Sequence, residues 1–465
     1  MREYDLVVRN ARIIEANGEL EGSVCVRQGR VALIDPSNAG NAEVEIDAAG
    51  CLVLPGGVDP HVHVAWPYGK DVTSDTYASA SAAALHGGTT TIIIDFAYPR
   101  PGMTPSAYLR ARRQEAMGAT SVDVAFHTVL TARPDLVAEL PALLAEGSVS
   151  WKVYLTYSRR RIMSDDATLV EAMREGARLG ATICVHAENG TVADAREREL
   201  VAAGDLDYAA HYRHKPWWVE AEAVQRAAFF ARVTGARLHI KHLSSRQGLE
   251  MLRQARRAGT AITAETCPHY LVLTEQERTG PDGPLFLCSP PLREAADRDA
   301  LWEGLATGEL AVVGADHCDF TREQKLARAD DFRFIPNGLP GVETRLHLLY
   351  EEGVRNRGLS FSWLVGVLSA NPARIFGLYP RKGTLRPGAD ADIVVFDPDP
   401  RWEIEPSTLH MRADWNPYTG RMVHGWVRSV VRRGEVVLAG GRVQAEPGSG
   451  RYLHRHPPVM EVAPS

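Results

Sequence analysis

The chain has no apolar run long enough to span a bilayer: its longest, such as TIIIDFA, stop far short of the roughly 20 residues a crossing helix needs. It also lacks a leader signature. MREYDLVVRN is charged and alternating, where a secretory signal needs a basic start and then an apolar stretch. Excess positive charge is missing: 52 Lys and Arg against 58 Asp and Glu give a net charge of −6, which argues against nucleic acid as a partner. Cysteine is sparse and scattered. Cys25, Cys51, Cys184, Cys267, Cys288 and Cys318 show no CxxC spacing and mostly sit in apolar segments, so buried free thiols are expected rather than disulfides or zinc clips. There is no short repeat and no low-complexity tract. These absences point to a globular enzyme of the cytoplasm that engages neither membrane nor nucleic acid.

What is present begins with length: 465 residues exceed one small core and suit a large domain with a smaller companion. Residues 4 to 54 read as short alternating strands with a Gln-Gly hairpin centre, and the same texture returns near the other end in ADIVVFDP and WVRSVVRRGEVVLAGGRV, with Arg-Gly and Gly-Gly turns. Neither end supplies a face to bury by itself, so the two together predict one small β-sandwich over 1–55 and 385–447. Between them lie eight apolar strand candidates, at 57–64, 89–96, 122–130, 149–155, 181–187, 237–243, 261–267 and 310–317, most followed by amphipathic helical stretches. That alternation predicts an α/β fold, a (β/α)8 TIM-like barrel over 56–384. The remainder, 448–465, has no period and reads as a C-terminal arm, draped on the surface or crossing to another subunit.

Active sites of such barrels lie at the C-terminal strand ends. The first candidate strand ends in His61 and His63, two apart and therefore on one face; the fourth carries Lys152, the fifth ends in His186, the sixth in His242, the eighth in Asp316 and His317. Imidazole nitrogen and carboxylate oxygen suit zinc and similar divalent cations. Taken alone, His61 and His63 are as consistent with packing as with ligation. Four more ligand-type residues at successive strand ends move the balance towards a metal site. His127 and His239, by contrast, read as hydrogen-bonded core residues. Lys152, amid WKVYL, is costly to bury as an ammonium; beside cations its amine would be driven neutral, and a neutral amine can take up carbon dioxide as a carbamate able to bridge two metals.

An ordered set of motifs now stands out: PGGVDPHVH, SWKVYLTY, VHAENG, ETCPHYLVLT, SPPLR, GADHCDF, PNGLPGVETR and NPARIFGLYPRKGTLRPGADADIVVFDP. Over nearly the whole chain they resemble the cyclic amidohydrolases, in the hydantoinase and dihydropyrimidinase branch. The resemblance implies ring opening of hydantoins or dihydropyrimidines to N-carbamoyl amino acids by a metal-bridging hydroxide. It implies two divalent ions, usually zinc with manganese as the alternative: His61, His63 and Asp316 on the more buried one, His186 and His242 on the other, carboxylated Lys152 between them. Asp316 would also be the proton shuttle, Tyr157 would donate to the developing oxyanion, and Ser289 and Asn337 would hold the ring's amide and imide edge through backbone groups. A homotetramer is implied as well.

Two positions depart from the family's pattern: Ala65 stands where an acidic or polar residue is common, and Asp319 where Pro is usual. Dihydroorotases place an Arg at the position of Ala65 to pair with a substrate carboxylate, so that relative ranks low. An allantoinase-type ureide hydrolase and a non-catalytic scaffold related to dihydropyrimidinases are the alternatives; the scaffold is disfavoured because all six ligand positions are filled. Trp66 and Tyr68, in the loop after the first strand, would line a pocket for a ring substituent or simply cover the barrel rim.

Overall fold

The computed structural model describes residues 3–37, 41–68, 70–97, 102–133 and 136–458. Eight strands form one parallel sheet in sequential order: β1 (Gly57–Val62), β2 (Thr89–Ala97), β3 (Asp123–Val129), β4 (Ser150–Tyr154), β5 (Thr182–His186), β6 (Arg237–Ile240), β7 (Ile262–Thr266) and β8 (Val312–Val313). The sheet closes on itself where Val62 bridges His317 and the His63 N–H donates to the His317 carbonyl at 2.7 Å. Parallel strands covered on both faces read as continuous apolar runs, which is why all eight are found where the sequence places them. The eighth alone is much shorter than the expected 310–317. After Val313 the chain passes Gly314, where a Cβ would come within 3.0 Å of His61 Cβ, and then turns at Asp316 with φ +46°.

The helices Tyr77–His86, Pro105–Met117, Asp166–Leu179, Trp217–Thr234 and Arg246–Arg257 fall on the amphipathic stretches. Gly180 and Gly235, in left-handed conformation, end two of them, and the Thr76, Thr104, Asp165 and Ser245 side chains cap four starts. Among the described residues no helix is long and apolar enough to cross a membrane.

A second, mostly antiparallel sheet of nine strands is built from both ends of the chain. Its seam is the short strand Leu52–Pro55, which pairs parallel with Tyr4–Glu15 on one side and antiparallel with Ile393–Glu403 on the other. Both halves bury a face in one cluster that includes Val8, Ile13, Val24, Ile393, Val395 and Val431. The expected two-residue turns are present at Gln28-Gly29, Arg433-Gly434 and Gly440-Gly441, each with positive φ at both positions, the geometry that matches strand twist. All six cysteines are buried and free, as expected.

The described part of the C-terminal segment lies against the chain's own barrel. Leu453 N–H donates to Val124 O at 2.7 Å, Arg455 reaches Ser150 Oγ at 2.8 Å, and both side chains are buried beneath the starts of β3 and β4. Positions 459–465 of the expected arm lie outside the described residues.

Candidate metal centre

The sequence-predicted residues converge on one pocket. Its lining includes His61, His63, His186, His242, Asp316 and Tyr157, together with Ser289 and Asn337. Asp316 Oδ1 lies 3.0 Å from His61 Nε2 and 2.9 Å from His63 Nε2. The His242 ring stacks on His61 at 5.3 Å and meets His186 edge-on at 4.3 Å, so the four imidazoles form a continuous arc. Among the described residues, ligand atoms of His61, His242 and Asp316 fall within 4.8 Å of one another. Lys152 is completely buried below, with Nζ 5.0 Å from the Tyr154 ring, and its charge is one of the influences lowering the proton affinity of His186 and His242.

The backbone is strained where it presents these groups. His242, Asp316 and Tyr157 hold φ of +41°, +46° and +72°, and Ala65, beside the first pair of histidines, +48°. Side-chain-bearing residues avoid this region at a cost of about 1 to 3 kcal/mol each, and such conformations gather at functional sites.

Charge and hydrogen bonding prepare the donors for a cation. Burial drives His186 down to about 4 and His242 well below the ordinary imidazole value, so both are neutral with a lone pair to offer. Burial works against ionisation of Asp316, yet His61 and His63 hold its carboxyl down at about 2. Two carboxylates that the sequence reading missed orient the imidazoles from behind. Glu265 on β7 binds His61 Nδ1, which leaves Nε2 facing Asp316. Glu188 binds His186 Nε2 at 2.7 Å and is itself held by the Lys215 ammonium at 2.7 Å. A ligand histidine tied through its outer nitrogen to a carboxylate is the usual support of a metal site. The buried His242 Nδ1 has no hydrogen-bond partner, as expected of an atom reserved for something other than protein. Donor set, protonation and supports therefore fit a divalent cation.

The remaining predicted residues are placed as follows. Tyr157 abuts His186 at 5.0 Å between ring centroids, and burial raises its hydroxyl well above the ordinary value, so it stays a proton donor. Ser289 Oγ accepts from Lys215 Nζ at 3.1 Å and from the Asn337 side-chain amide at 3.4 Å. The Asn337 backbone N–H is engaged by the Tyr68 hydroxyl at 3.2 Å, while its side-chain oxygen is buried without a partner. His127 and His239 are satisfied core residues: His127 bonds Ser150 Oγ at 2.6 Å and Pro60 O at 2.9 Å, and His239 bonds Thr263 Oγ1 at 2.8 Å.

Asp319 lies behind the site, in a buried group with Asp75 and His317. His317 Nδ1 lies 3.2 Å from the Gly341 N–H, and its Nε2 lies 3.1 Å from Asp75 and 3.5 Å from Asp319, the two carboxyls that raise the ring's proton affinity to about 10 against burial. The departure at 319 thus adds a buried carboxyl without displacing any ligand-type residue. Another omission from the sequence reading is Arg160, which lines the pocket beside Trp66, Tyr154 and Ile162.

Comparison with known proteins agrees with this geometry. Residues 52–437 match the model of the amidohydrolase family. The D-hydantoinase of Streptomyces coelicolor is 39% identical over 97% of this chain and 97% of its own length; that of Geobacillus stearothermophilus is 37% identical over 97% and 96%. The crystal structure of dihydropyrimidinase from Brevibacillus agri NCHU1002 superposes with a TM-score of 0.95 at 37% identity, covering 98% of this chain and 99% of that one. A family match over most of the chain and full-length relatives at this identity show that the chain belongs to the amidohydrolase family, in its hydantoinase and dihydropyrimidinase branch.

Proposed function

We propose that the chain is a metal-dependent cyclic amidohydrolase that opens hydantoins or dihydropyrimidines to N-carbamoyl amino acids. The observation that carries this is the arc of four histidines closed by Asp316, presented at or just past the ends of β1, β5, β6 and β8 and backed by Glu265 and Glu188. His61, His63 and Asp316 would hold one divalent ion and His186 and His242 a second, with Lys152 as its carbamate shared between them; zinc is the proposed metal and manganese the alternative. Such a pair supplies a hydroxide at neutral pH and polarises the carbonyl it faces.

The chain's own groups do the rest. Asp316, ionised, takes up the proton that the attacking hydroxide gives up and passes it to the leaving amide nitrogen. Tyr157 keeps its proton and donates to the oxygen on which negative charge develops. Ser289 and Asn337, joined to each other and to Lys215, form the edge against which the ring's amide and imide groups are set. In this reading the barrel, 56–384, carries the chemistry, the sandwich over 1–55 and 385–447 braces it, and the enzyme works in the cytoplasm as a homotetramer.

A panel of hydantoin, 5-substituted hydantoins of both hands, dihydrouracil and allantoin, run on zinc-loaded and manganese-loaded protein, tests the assignment. Turnover of hydantoin or dihydrouracil with two metals per chain is expected; turnover of allantoin alone would make it an allantoinase, and absence of metal and of any turnover would make it a scaffold. Lys152→Ala should lose metal and activity while keeping its fold, with partial rescue by short carboxylic acids. Full activity in that variant rejects the carbamate.

A further inference from the structure

Lys325 is the one buried residue of 321–330, and none of its side chain reaches solvent. It projects from the short helix Arg322–Leu326, whose start is fixed by a reciprocal pair: Thr321 Oγ1 accepts the Gln324 N–H at 3.2 Å, and the Thr321 N–H donates to the Gln324 side-chain oxygen at 2.8 Å. The Lys325 ammonium meets no carboxylate among the described residues. Its partners are two main-chain carbonyls, Leu287 at 3.0 Å and Gly338 at 2.7 Å, with the centroid of the Trp415 ring 5.3 Å away. Burial lowers its proton affinity to about 7, and the groups that act against this are the Cys288 and Cys318 thiols, which burial itself keeps protonated. An apolar side chain of the same length would fill the space without that desolvation, so the amine is retained for what it bonds.

Both carbonyls belong to segments that border the ring's site. Leu287 leads into Cys288 and Ser289, Gly338 follows Asn337, and these last four residues line the pocket. Each segment has anchors of its own: Cys288 O accepts from His211 Nε2 at 2.8 Å, and Ile335 O from the Tyr68 hydroxyl at 3.3 Å. Two direct bonds relate one segment to the other, Gly338 N–H to Leu287 O at 2.9 Å and the Asn337 side-chain amide to Ser289 Oγ at a long 3.4 Å. Lys325 bonds both segments through one terminal group and so fixes their separation. Gly338 also packs so closely on Cys318 that a Cβ there would lie 2.4 Å from the Cys318 carbonyl oxygen. Cys318 is two residues past Asp316, so the same grip sets the two segments against the loop that carries a ligand-type carboxylate.

From this geometry we propose that Lys325 is a positioning residue for the substrate: by gripping Leu287 and Gly338 it sets the width of the slot that receives the ring's amide and imide edge. The inference rests on the cyclic amidohydrolase reading above and names what holds the substrate edge within it. Two N–H donors suffice for two carbonyls, so the neutral amine grips as the ammonium does, and the device depends on donors in place rather than on charge. Ser289 and Asn337 take no proton and meet no developing charge in that reading. What they contribute is shared by bound substrate and transition state, and binding of that uniform kind shows in KM and leaves kcat alone.

The test is Lys325→Met, which keeps the length and removes the donors, assayed on the metal-loaded enzyme with hydantoin and with dihydrouracil. The expected result is a KM about tenfold higher for both rings, the weight of one well-made hydrogen bond, with kcat changed by less than about threefold and the metal content unchanged. Lys325→Gln keeps two N–H donors on a side chain one bond shorter, and its KM should rise by less, about threefold; it carries the test if the Met variant does not fold. An unchanged KM in Lys325→Met makes the residue a filler of space, and a fall in kcat or in metal content as large as the rise in KM makes it a prop of the whole fold; either overturns the proposal. A wild type that opens neither ring removes the amidohydrolase reading, and calorimetric binding of the same two rings then decides this one. It stands if Lys325→Met binds them about tenfold more weakly, and it is overturned if binding is equal in the two proteins or absent from both.

Discussion

Replacing Glu265 by glutamine removes one buried charge while keeping the side chain's shape. In the native protein this carboxylate is fully buried and holds three groups: His61 at Nδ1, His239 Nε2 at 3.2 Å and the Lys241 ammonium at 3.1 Å. Burial would push its proton affinity up, but Lys241 and His61 outweigh that and keep it ionised, well below the ordinary range. Two separable losses are expected in Glu265→Gln. Lys241 loses this counter-charge, and breaking a buried ion pair from one side costs about 3 to 5 kcal/mol. His61 loses the acceptor that keeps Nε2 turned to Asp316, and losing such a partner weakens metal binding by about 10- to 100-fold, or about 1.4 to 2.7 kcal/mol. Urea titration reads the first, and competition with a chromophoric chelator on the folded protein reads the second. The double variant Glu265→Gln, Lys241→Met should recover much of the stability, since no ammonium is left to compensate, while metal affinity stays low. If the single variant binds metal as tightly as the native chain, Glu265 is merely the counter-ion of Lys241, and the argument that oriented imidazoles mark a metal centre is wrong.

Two further outcomes follow from the same structure. Tyr157→Phe should lower kcat by about 10² with little change in KM, the usual effect of deleting one oxyanion donor, and an unchanged kcat would leave Tyr157 a packing residue. Asp319 gives a pH test of stability. Burial raises its carboxyl above the ordinary value and outweighs the opposing pull of His317, so the folded chain holds this proton more tightly than the unfolded one; the stability this confers is present below the unfolded value near pH 4 and is lost as pH rises through the raised folded value. Asp319→Asn cannot lose that proton. Its melting temperature should therefore match the native protein's near pH 4 and exceed it at pH 7, and a lower melting temperature at pH 7 would refute the account.

Most of the architecture was legible because it follows from local rules. Strands buried on both faces are apolar throughout, which marked β1 to β7 closely, and turns that need two positive φ values wrote themselves as Gln28-Gly29, Arg433-Gly434 and Gly440-Gly441. The extent of β8 was not legible: VV is followed by a turn that exists because Gly314 packs on His61 and Asp316 must face the pocket. Arg455 and Leu453 looked like loose tail residues, yet both are buried, since the underside of a barrel needs a plug and this segment is what reaches it.

The site divides in the same way. Sequence alone determined which side chains could bind a cation, because the chain's own periodicity puts His61, His63, His186, His242 and Asp316 at or just past strand ends and Lys152 inside the fourth strand. Only the tertiary structure decided that they meet, and it chose their supports. Glu265 touches His61 across 204 residues of chain, Glu188 gains its partner in Lys215 27 residues on, and Arg160 is half-buried beside Tyr68, Trp66 and Tyr157. A carboxylate or a guanidinium has no period and no fixed role in a sequence; its charge acquires meaning from what the fold brings within a few ångströms and how completely it removes the water between them.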